Sequence, residues 1–453
     1  MMIHARKAFL GRTWATNVRV GVLDGRINTL IPNSRPEPGD VAVDSLLPAL
    51  ANLHSHSFQR AMAGMTEFRA AGRESFWTWR DLMYRFLDRL TPDQVEAIAA
   101  LVFMEMQEAG YAAVGEFHYV HHAQGGALYD NVSELSDRIF AAAKASGIGL
   151  THLPVLYTYG GVNQEPLDGG QLRFSNSVDR FLALVDACQA GLAKLPPDTA
   201  LGIAPHSLRA TSPADLANTL SAVPSGPVHI HISEQVKEVT DVEAKLGKRP
   251  VAWLLDNAEV NQRWCLIHAT HMTDDETMAM ARTGAVAGLC PITEANLGDG
   301  IFNGHTFLAA GGKFGVGSDS NVRISLTEEL RSLEYSQRLR DHQRNVLVDA
   351  SGSTGETLYA GAATGGAQAL GRDSGEIALG KLADLVAIDS EHPALCSLSE
   401  NQLLDGICFA ASDNVITDTW SAGRHVVQQG RHIEREGIIN AYRTILPSLL
   451  SDL

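Results

Sequence analysis

Two histidines separated by one residue, His54 and His56, follow an apolar run that begins near residue 45. Because side chains alternate faces along a strand, both rings would point to the same side of a strand end and could share one metal ion. The chain has 17 histidines in 453 residues, so one such pair can also arise by chance as a hydrogen-bonded core pair. A metal site therefore requires further ligands from other parts of the chain.

Metal-binding side chains also occur where three other predicted strands end. These residues are His231 with Glu234 three positions on, His268, and Asp319. Zinc takes nitrogen and oxygen ligands and keeps one position open in catalytic sites, and histidine with aspartate suits it better than magnesium or calcium. The recurrence at four strand ends favours a metal site over a chance pair.

The elements that must position these residues alternate between strand and helix from about residue 47 to 320. Strands are predicted at 46–53, 112–119, 149–156, 201–204, 228–232, 265–269, 285–289 and 314–317. Helices are predicted at 95–109, 128–146, 177–193, 213–222, 249–257 and 278–282, two of them after capping-box starts at Thr91 and Thr273. Eight strands alternating with helices predict an α/β fold, a TIM-type (β/α)8 barrel with its active site at the C-terminal strand ends.

The two chain ends carry strand patterns of a different kind. Residues 18–22 and 26–30 flank the hairpin signal Asp24-Gly25, and strand-like runs return at 383–388 and 418–427. Neither end has enough strand to bury a core alone. We therefore expect a small discontinuous β-sandwich domain formed by residues 1–47 and 373–453, beside a metal-dependent barrel of residues 48–372.

Composition limits the classes of partner. Hydrophobic residues make up 45% and charged residues 19% of the chain, and the formal net charge is −16. An acidic protein repels nucleic acid and anionic membranes, so we expect neither as a partner. No apolar run approaches the roughly 20 residues needed to cross a bilayer, and the N-terminal residues lack the apolar core of a signal peptide. A cytoplasmic protein is expected, and the base rate for soluble oligomers favours a homodimer.

The five cysteines are an odd, scattered set without Cys-x-x-Cys spacing. This pattern indicates neither a disulfide framework nor a cysteine-bound zinc ion. We expect reduced cysteines in the core.

The metal-binding set resembles the site of the amidohydrolase superfamily in its mononuclear deaminase branch. That resemblance implies one Zn²⁺ per chain bound by His54, His56, His231 and Asp319, with catalytic roles for Glu234, His268 and Asp319. Dinuclear relatives usually carry a bridging, carboxylated lysine at the end of strand four. Here residues 205–209 follow that strand and contain no lysine, which favours one metal.

Within that branch, residues 57–64, 76–80, 205–210 and 293–300 resemble the formiminoglutamate deiminases. The family hydrolyses N-formimino-L-glutamate to N-formyl-L-glutamate and ammonia in histidine degradation. The resemblance therefore implies a small anionic substrate and a hydrolytic deimination by zinc-activated water.

Such a substrate carries two carboxylates, which guanidinium groups bind bidentately. The substrate-binding residues predicted on this basis are Gln59, Arg80, Tyr119, His206 and Arg209. Arg323 is a further candidate because it follows Asp319 closely. Trp77 and Trp79 are candidates for a lid that excludes water.

Two alternatives stay open. One is another deaminase or chlorohydrolase of the same superfamily, acting on a purine, pyrimidine or triazine. The other is a metal-binding barrel without catalysis, although such a site would not need the proton-carrying Glu234 and Asp319. Discrimination between formiminoglutamate and its aspartate analogue also stays open, because one methylene is worth only about 1–3 kcal/mol.

Overall fold

Seventeen strands are present in the computed structural model, which describes residues 1–67 and 76–450 apart from the side chains of Trp77 and Leu450. In chain order they are β1 (Met2–Leu10), β2 (Thr13–Leu23), β3 (Arg26–Ile31), β4 (Val41–Pro48), β5 (Leu50–Ser55), β6 (Tyr111–His118), β7 (Gly149–Leu156), β8 (Ala200–Leu201), β9 (Ala204–Pro205), β10 (Val228–Ile232), β11 (Trp264–His268), β12 (Val286–Leu289), β13 (Lys313–Val316), β14 (Leu385–Ile388), β15 (Ile416–Ser421), β16 (Arg424–Gln428) and β17 (Arg431–His432).

Strands β5 to β13 form a closed parallel barrel. One parallel group runs β5-β6-β7-β8 with β9 also paired to β7, and the second runs β10-β11-β12-β13. Parallel bridges Ile203–Val228 and Ser55–Asp319 join the two groups at both seams. The short β8 and β9 share the fourth position, which gives eight positions. The predicted (β/α)8 barrel is confirmed.

Helices cover the barrel, which is why its strands are buried on both faces. The helices are α1 (Phe76–Leu87), α2 (Pro92–Glu108), α3 (Glu134–Ser146), α4 (Val178–Leu192), α5 (Pro213–Ala222), α6 (Val236–Leu246), α7 (Pro250–Asn257), α8 (Asp274–Thr283), α9 (Pro291–Leu297), α10 (Gly304–Ala309), α11 (Leu326–Asp341), α12 (Thr354–Ala369), α13 (Glu400–Phe409) and α14 (Arg435–Leu450). Short 3₁₀ turns lie at Ser57–Met62, Gln124–Gly126, Gly169–Phe174 and Asp413–Val415. Capping boxes start α2 at Thr91 and α8 at Thr273, as predicted.

Strands from both chain ends form one sheet of eight strands in the order β17-β16-β15-β14-β4-β1-β2-β3. Asp24 and Gly25 join β2 to β3 with φ of 50° and 77°, the left-handed pair that a two-residue hairpin requires. The sheet buries its own apolar cluster around Ile3, Val20 and Trp420. The sheet from both termini is thus present, whereas the domain boundaries stay a prediction.

The predicted strand 46–53 is divided in the structure. Its first half belongs to β4, which pairs with β1 and β14 in the terminal sheet. Its second half belongs to β5 in the barrel. The change of sheet occurs at Ala49, whose N–H is bonded to the Asp384 carbonyl, directly after Pro48. The apolar pattern is continuous across this point, because both halves are buried.

A buried ionic network connects the barrel to the terminal sheet. The Arg372 guanidinium contacts Asp384 at 2.6 Å and Asp198 at 2.9 Å, and Arg424 contacts Asp198 at 2.7 Å. Asp198 precedes β8 of the barrel, and Asp384 precedes β14 of the sheet. The side chains of Arg372, Asp198 and Asp384 are each at most 4% exposed, so these three charges depend on their partners for stabilisation.

Replacing Arg372 by alanine is expected to lower the free energy of unfolding by about 3–5 kcal/mol, because two buried carboxylates lose their shared cation. Urea titration of the purified variant measures this change. Arg431→Ala is the matched control, since its ion pair with Glu436 is exposed and contributes about 0–1 kcal/mol. Equal stabilities for the two variants would contradict the argument.

Four of the five cysteines are buried, and Cys396 is exposed. The expectation that all lie in the core is therefore wrong for Cys396, which lies in the irregular segment between β14 and α13. No helix in the described ranges is both long enough and apolar enough to span a membrane.

Candidate active site

The predicted metal-binding residues lie together at the C-terminal end of the barrel. His54 is the penultimate residue of β5, and His56 directly follows that strand. His231 lies in β10, His268 ends β11 and Asp319 follows β13. All five side chains are buried. Parallel strands bring their carboxyl ends to one edge, which is why positions so distant in sequence meet.

The donor atoms of His54, His56 and His231 lie within 4.8 Å of one another, and so do those of His54, His268 and Asp319. His54 Nε2 lies 3.1 Å from His231 Nε2 and 3.5 Å from Asp319 Oδ1, and His56 Nε2 lies 3.3 Å from the same oxygen. A tetrahedral zinc ion with bonds of about 2.0–2.1 Å holds its ligand atoms about 3.3–3.4 Å apart. These three distances are close to the edge of such a tetrahedron, which suits a zinc ion.

Hydrogen bonds on the far side of the rings fix which nitrogen faces the cluster. His56 Nδ1 donates to the Phe117 carbonyl at 3.0 Å, and His231 Nδ1 donates to the His206 carbonyl at 3.1 Å. A carbonyl can only accept, so both Nε2 atoms present lone pairs inward. Burial lowers the pKa of His54 to about 3 and also lowers the pKa values of His56 and His231. Neutral imidazoles with converging lone pairs are the form that binds a metal.

Two ionisable residues lie beside this cluster. His268 Nε2 is 3.7 Å from Asp319 Oδ2, and His268 Nδ1 is 3.1 Å from Glu294 Oε1. Although burial opposes it, the contacts with Glu294, Glu234 and Asp319 raise the pKa of His268 to about 10. Burial raises the pKa of Glu234 above its ordinary value. Burial also acts to raise the pKa of Asp319, but the surrounding histidines hold it below its usual range.

The backbone at these strand ends is unusually bent. Ser233, His268 and Asp319 have φ of 53°, 66° and 47°, values that non-glycine residues rarely adopt. Such strain concentrates at functional sites, where the surrounding structure maintains it. Gly317 allows β13 to approach β5, because a Cβ at this position would lie 2.7 Å from the His54 carbonyl oxygen.

A pocket opens from the cluster and contains all five predicted substrate-binding residues. Its walls are formed by His56, Gln59, Phe76, Trp79, Arg80, Met83, Tyr84, Tyr119, Tyr157, Phe174, His206, Arg209, His231, Glu234, His268, Thr293, Leu297, Asp319 and Ser320. Gln59 Nε2 donates to Tyr119 Oη at 2.7 Å. Arg209 NH2 lies 3.6 Å from Glu234 Oε2. The Arg80 guanidinium lies 5.5 Å from the centre of the Tyr84 ring.

The structure also locates two further sequence-based candidates, the substrate-binding Arg323 and the tryptophans of a lid. Arg323 lies outside the pocket, because its side chain is 60% exposed and forms an ion pair at 2.7 Å with Glu328 in the first turn of α11. Trp79 lines the pocket, whereas the side chain of Trp77 lies outside the described residues.

Sequence reasoning missed Tyr84, Tyr157 and Ser320 in the pocket. Tyr157 directly follows the end of β7, so the strand-end pattern that identified the histidines would also have identified it. Tyr84 lies on α1, which was not predicted as a helix, and no sequence signal pointed to it. Glu294, the partner of His268 Nδ1, lies in the family-like stretch 293–300, but no sequence signal indicated its role.

Known proteins share this arrangement of elements over nearly the whole chain. Residues 45–426 match the model "Amidohydrolase family", and residues 1–42 match "Formimidoylglutamate deiminase HutF, N-terminal domain". The formimidoylglutamate deiminase of Pseudomonas aeruginosa is 49% identical over 451 residues, covering 99% of both chains. The chain belongs to the formimidoylglutamate deiminases of the amidohydrolase family.

This formimidoylglutamate deiminase is also similar to other amidohydrolases. The crystal structure of an amidohydrolase from Brucella melitensis is 48% identical, with a TM-score of 0.96 and coverage of 99% of this chain and 100% of that one. An adenosine deaminase structure from Xanthomonas campestris with bound zinc is 23% identical, with a TM-score of 0.80 and coverage of 99% and 98%, and shares the fold. A 5-methylthioadenosine/S-adenosylhomocysteine deaminase of Bacillus cereus is 25% identical over 87% of this chain and 84% of its own.

Proposed function

We propose that this chain hydrolyses N-formimino-L-glutamate to N-formyl-L-glutamate and ammonia, as a step of histidine degradation. The observation that carries the proposal is the pocket itself, in which two guanidinium groups border the same cavity as the histidine and aspartate cluster and Glu234. A hydrolytic centre beside paired arginines suits an amidine whose other end carries carboxylates. The identity with the Pseudomonas aeruginosa deiminase supports the same substrate.

Arg80 and Arg209 would bind the two carboxylates of the substrate. The Arg209 side chain is only 12% exposed, so water competes little for its guanidinium. Gln59, Tyr119 and His206 line the same pocket, where they would contact the formimino group and the chain of the substrate. The buried aromatic walls around them exclude bulk water.

His54, His56, His231 and Asp319 would hold one zinc ion per chain. When bound, the metal supplies a Lewis acid that makes a hydroxide nucleophile available near neutral pH. The donor set has neutral nitrogens and one carboxylate, which suits zinc.

The remaining chemistry consists of proton transfers by this chain's own side chains. As the water oxygen bonds to the formimino carbon, a carboxylate oxygen of Asp319 accepts one water proton and Glu234 protonates the imine nitrogen, whose double bond to that carbon becomes a single bond. His268 Nε2, 3.7 Å from Asp319 Oδ2, would orient the attacked group. The carbon–nitrogen bond breaks only when the departing nitrogen is protonated, since an amide anion is a very poor leaving group. The proton held by Asp319 passes to this nitrogen, the remaining hydroxyl proton returns to Glu234 as the C=O bond forms, and ammonia leaves.

Ammonia release from the purified, zinc-loaded protein tests the proposal. Formiminoglutamate, formiminoaspartate and guanine are compared at equal concentration. The proposal expects the highest kcat/KM with formiminoglutamate and no turnover of guanine. Faster release from guanine would replace the proposal with a purine deaminase.

Removing zinc with a chelator is expected to abolish ammonia release, and adding back one equivalent per chain is expected to restore it. Metal analysis by mass spectrometry checks the stoichiometry directly. Two metal ions per active chain would contradict the mononuclear site.

Arg209→Ala is expected to raise KM for formiminoglutamate about 10- to 100-fold, because a hydrogen bond between charged groups is worth about 1.5–3 kcal/mol. Zinc content should stay at the wild-type value. Arg323→Ala is the matched control, since that arginine is exposed and paired outside the pocket. An unchanged KM in Arg209→Ala would remove Arg209 from substrate binding.

A homodimer in the cytoplasm completes the proposal, with neither nucleic acid nor membrane as a partner. The net charge of −16 supports this, because an acidic protein is repelled by nucleic acid and by anionic membranes. Light scattering after size-exclusion chromatography measures the mass in solution, and a value for one chain would contradict the dimer.

A further inference from the structure

Glu238 is a fully buried carboxylate that borders the active site without lining the pocket. It lies in the first turn of α6, four residues after Glu234, and its side chain is 0% exposed. Its Oε1 accepts a hydrogen bond from the Ser233 N–H at 3.1 Å, and its Oε2 accepts one from the Glu234 N–H at 3.0 Å. Both oxygens are therefore used on the backbone of the segment that carries Glu234.

That segment needs such support. The chain leaves β10 at Ile232 and bends at Ser233, whose φ of 53° is unfavourable for a residue with a side chain. Without a partner, two buried N–H groups would each cost about 1–3 kcal/mol. The Glu238 carboxylate accepts hydrogen bonds from both N–H groups. It therefore holds the backbone that carries the Glu234 side chain in place.

The same carboxylate also faces the substrate arginine. Arg209 Nε lies 3.9 Å from Glu238 Oε2, and Arg209 NH2 lies 3.6 Å from Glu234 Oε2. The two glutamates thus contact adjacent nitrogens of one guanidinium group. At 12% exposure, that guanidinium lies where an attraction between charges is weakened little by water.

We infer that Glu238 is a positioning residue that sets the placement of both Glu234 and Arg209, and so fixes the distance between the proton-carrying group and the group that binds a substrate carboxylate. It belongs neither to the residues that line the pocket nor to the clustered metal-binding donors. This inference rests on the proposed function, because it assigns Arg209 to a carboxylate of the substrate. If the inference holds, Glu238 helps the enzyme select substrates in which the amidine and a carboxylate are separated by the distance between Glu234 and Arg209.

Glu238→Gln in the zinc-loaded protein tests the inference. Glutamine keeps the shape but offers one acceptor oxygen in place of two and removes the charge that faces Arg209. We expect kcat/KM for formiminoglutamate to fall roughly 10- to 100-fold, the range found for residues that orient a catalytic group, with KM raised and kcat lowered. Zinc content stays at the wild-type value. Glu243→Gln, on the exposed side of the same helix, is the matched control and stays at wild-type kinetics.

A double-mutant cycle separates positioning from a merely structural role. If Glu238 acts on KM through Arg209, Glu238→Gln raises KM in the wild-type background and has little further effect on KM in Arg209→Ala. A loss of stability alone would give no such coupling. Wild-type kinetics in Glu238→Gln, or KM effects that add fully in the double variant, would overturn the inference.

Hydrogen exchange of the peptide covering residues 228–235 provides a readout that needs no substrate. The Ser233 and Glu234 amides should exchange faster in Glu238→Gln than in the wild type and in Glu243→Gln. Unchanged exchange would overturn the inference.

Failure of the wild type to release ammonia from formiminoglutamate would instead overturn the proposed function, while exchange still reports on Glu238. If Glu238→Gln does not fold, Glu238→Asp takes its place. Aspartate keeps the charge but is shorter by one methylene, so it should also lower kcat/KM and speed the exchange of the two amides.

Discussion

Glu234→Gln is expected to lower kcat for formiminoglutamate by roughly 10²- to 10⁴-fold, the contribution of a well-placed acid or base. Glutamine has nearly the same shape but cannot carry a proton to the departing nitrogen. Burial raises the pKa of Glu234, which favours a carboxyl group that holds a proton to deliver. Steady-state ammonia release measures the effect.

Zinc content distinguishes this loss from damage to the metal site. Glu234 is not among the converging donors, so the variant should bind zinc as the wild type does. Glu243→Gln is again the matched control, because it changes the same residue type at an exposed position. A kcat within tenfold of the wild type at full zinc content would show that another group carries the proton.

Asp319→Asn is expected to lower both zinc content and turnover, the latter by at least about 10²-fold. Asp319 is the one anionic donor of the proposed set, and its Oδ1 lies within 3.5 Å of Nε2 of both His54 and His56. Asparagine removes the charge and the proton acceptor together. Metal analysis and ammonia release are measured on the same preparation.

Restoring zinc separates the two effects. At saturating zinc, Asp319→Asn should stay slow, since its amide accepts no proton from water. Asp275→Asn, at an exposed position on α8, is the control for the chemical change. Recovery of wild-type turnover with added zinc would limit Asp319 to holding the metal.

The strand ends made the site predictable from sequence. The bounds predicted for β7 and β10 agree with the structure at both ends, because apolar, β-branched runs bounded by polar residues are characteristic of buried strands. Since parallel strands end at one edge, the polar residues after them could be grouped before any distance was known. The histidine pair and Asp319 came together for this reason.

Other features depend on packing that no local pattern records. The division of 46–53 at Ala49 could not be read from its apolar residues, since both halves are buried and only the hydrogen-bond partners differ. Glu238 and Glu294 look like ordinary acidic residues at helix starts. Their roles follow from buried contacts with Ser233, Glu234 and His268, which exist only once the barrel has formed.

The seam between the first and last barrel strands passes through the cluster. The His56 N–H donates to the Asp319 carbonyl at 2.9 Å, and the Asp319 N–H donates to the His54 carbonyl at 3.0 Å. The donors on the two sides of this seam are separated by most of the barrel sequence, so they meet only where the barrel is closed. A cation that binds only this closed form shifts the folding equilibrium toward it. The proposed zinc ion would therefore hold the two edges of the barrel together in addition to its chemical role.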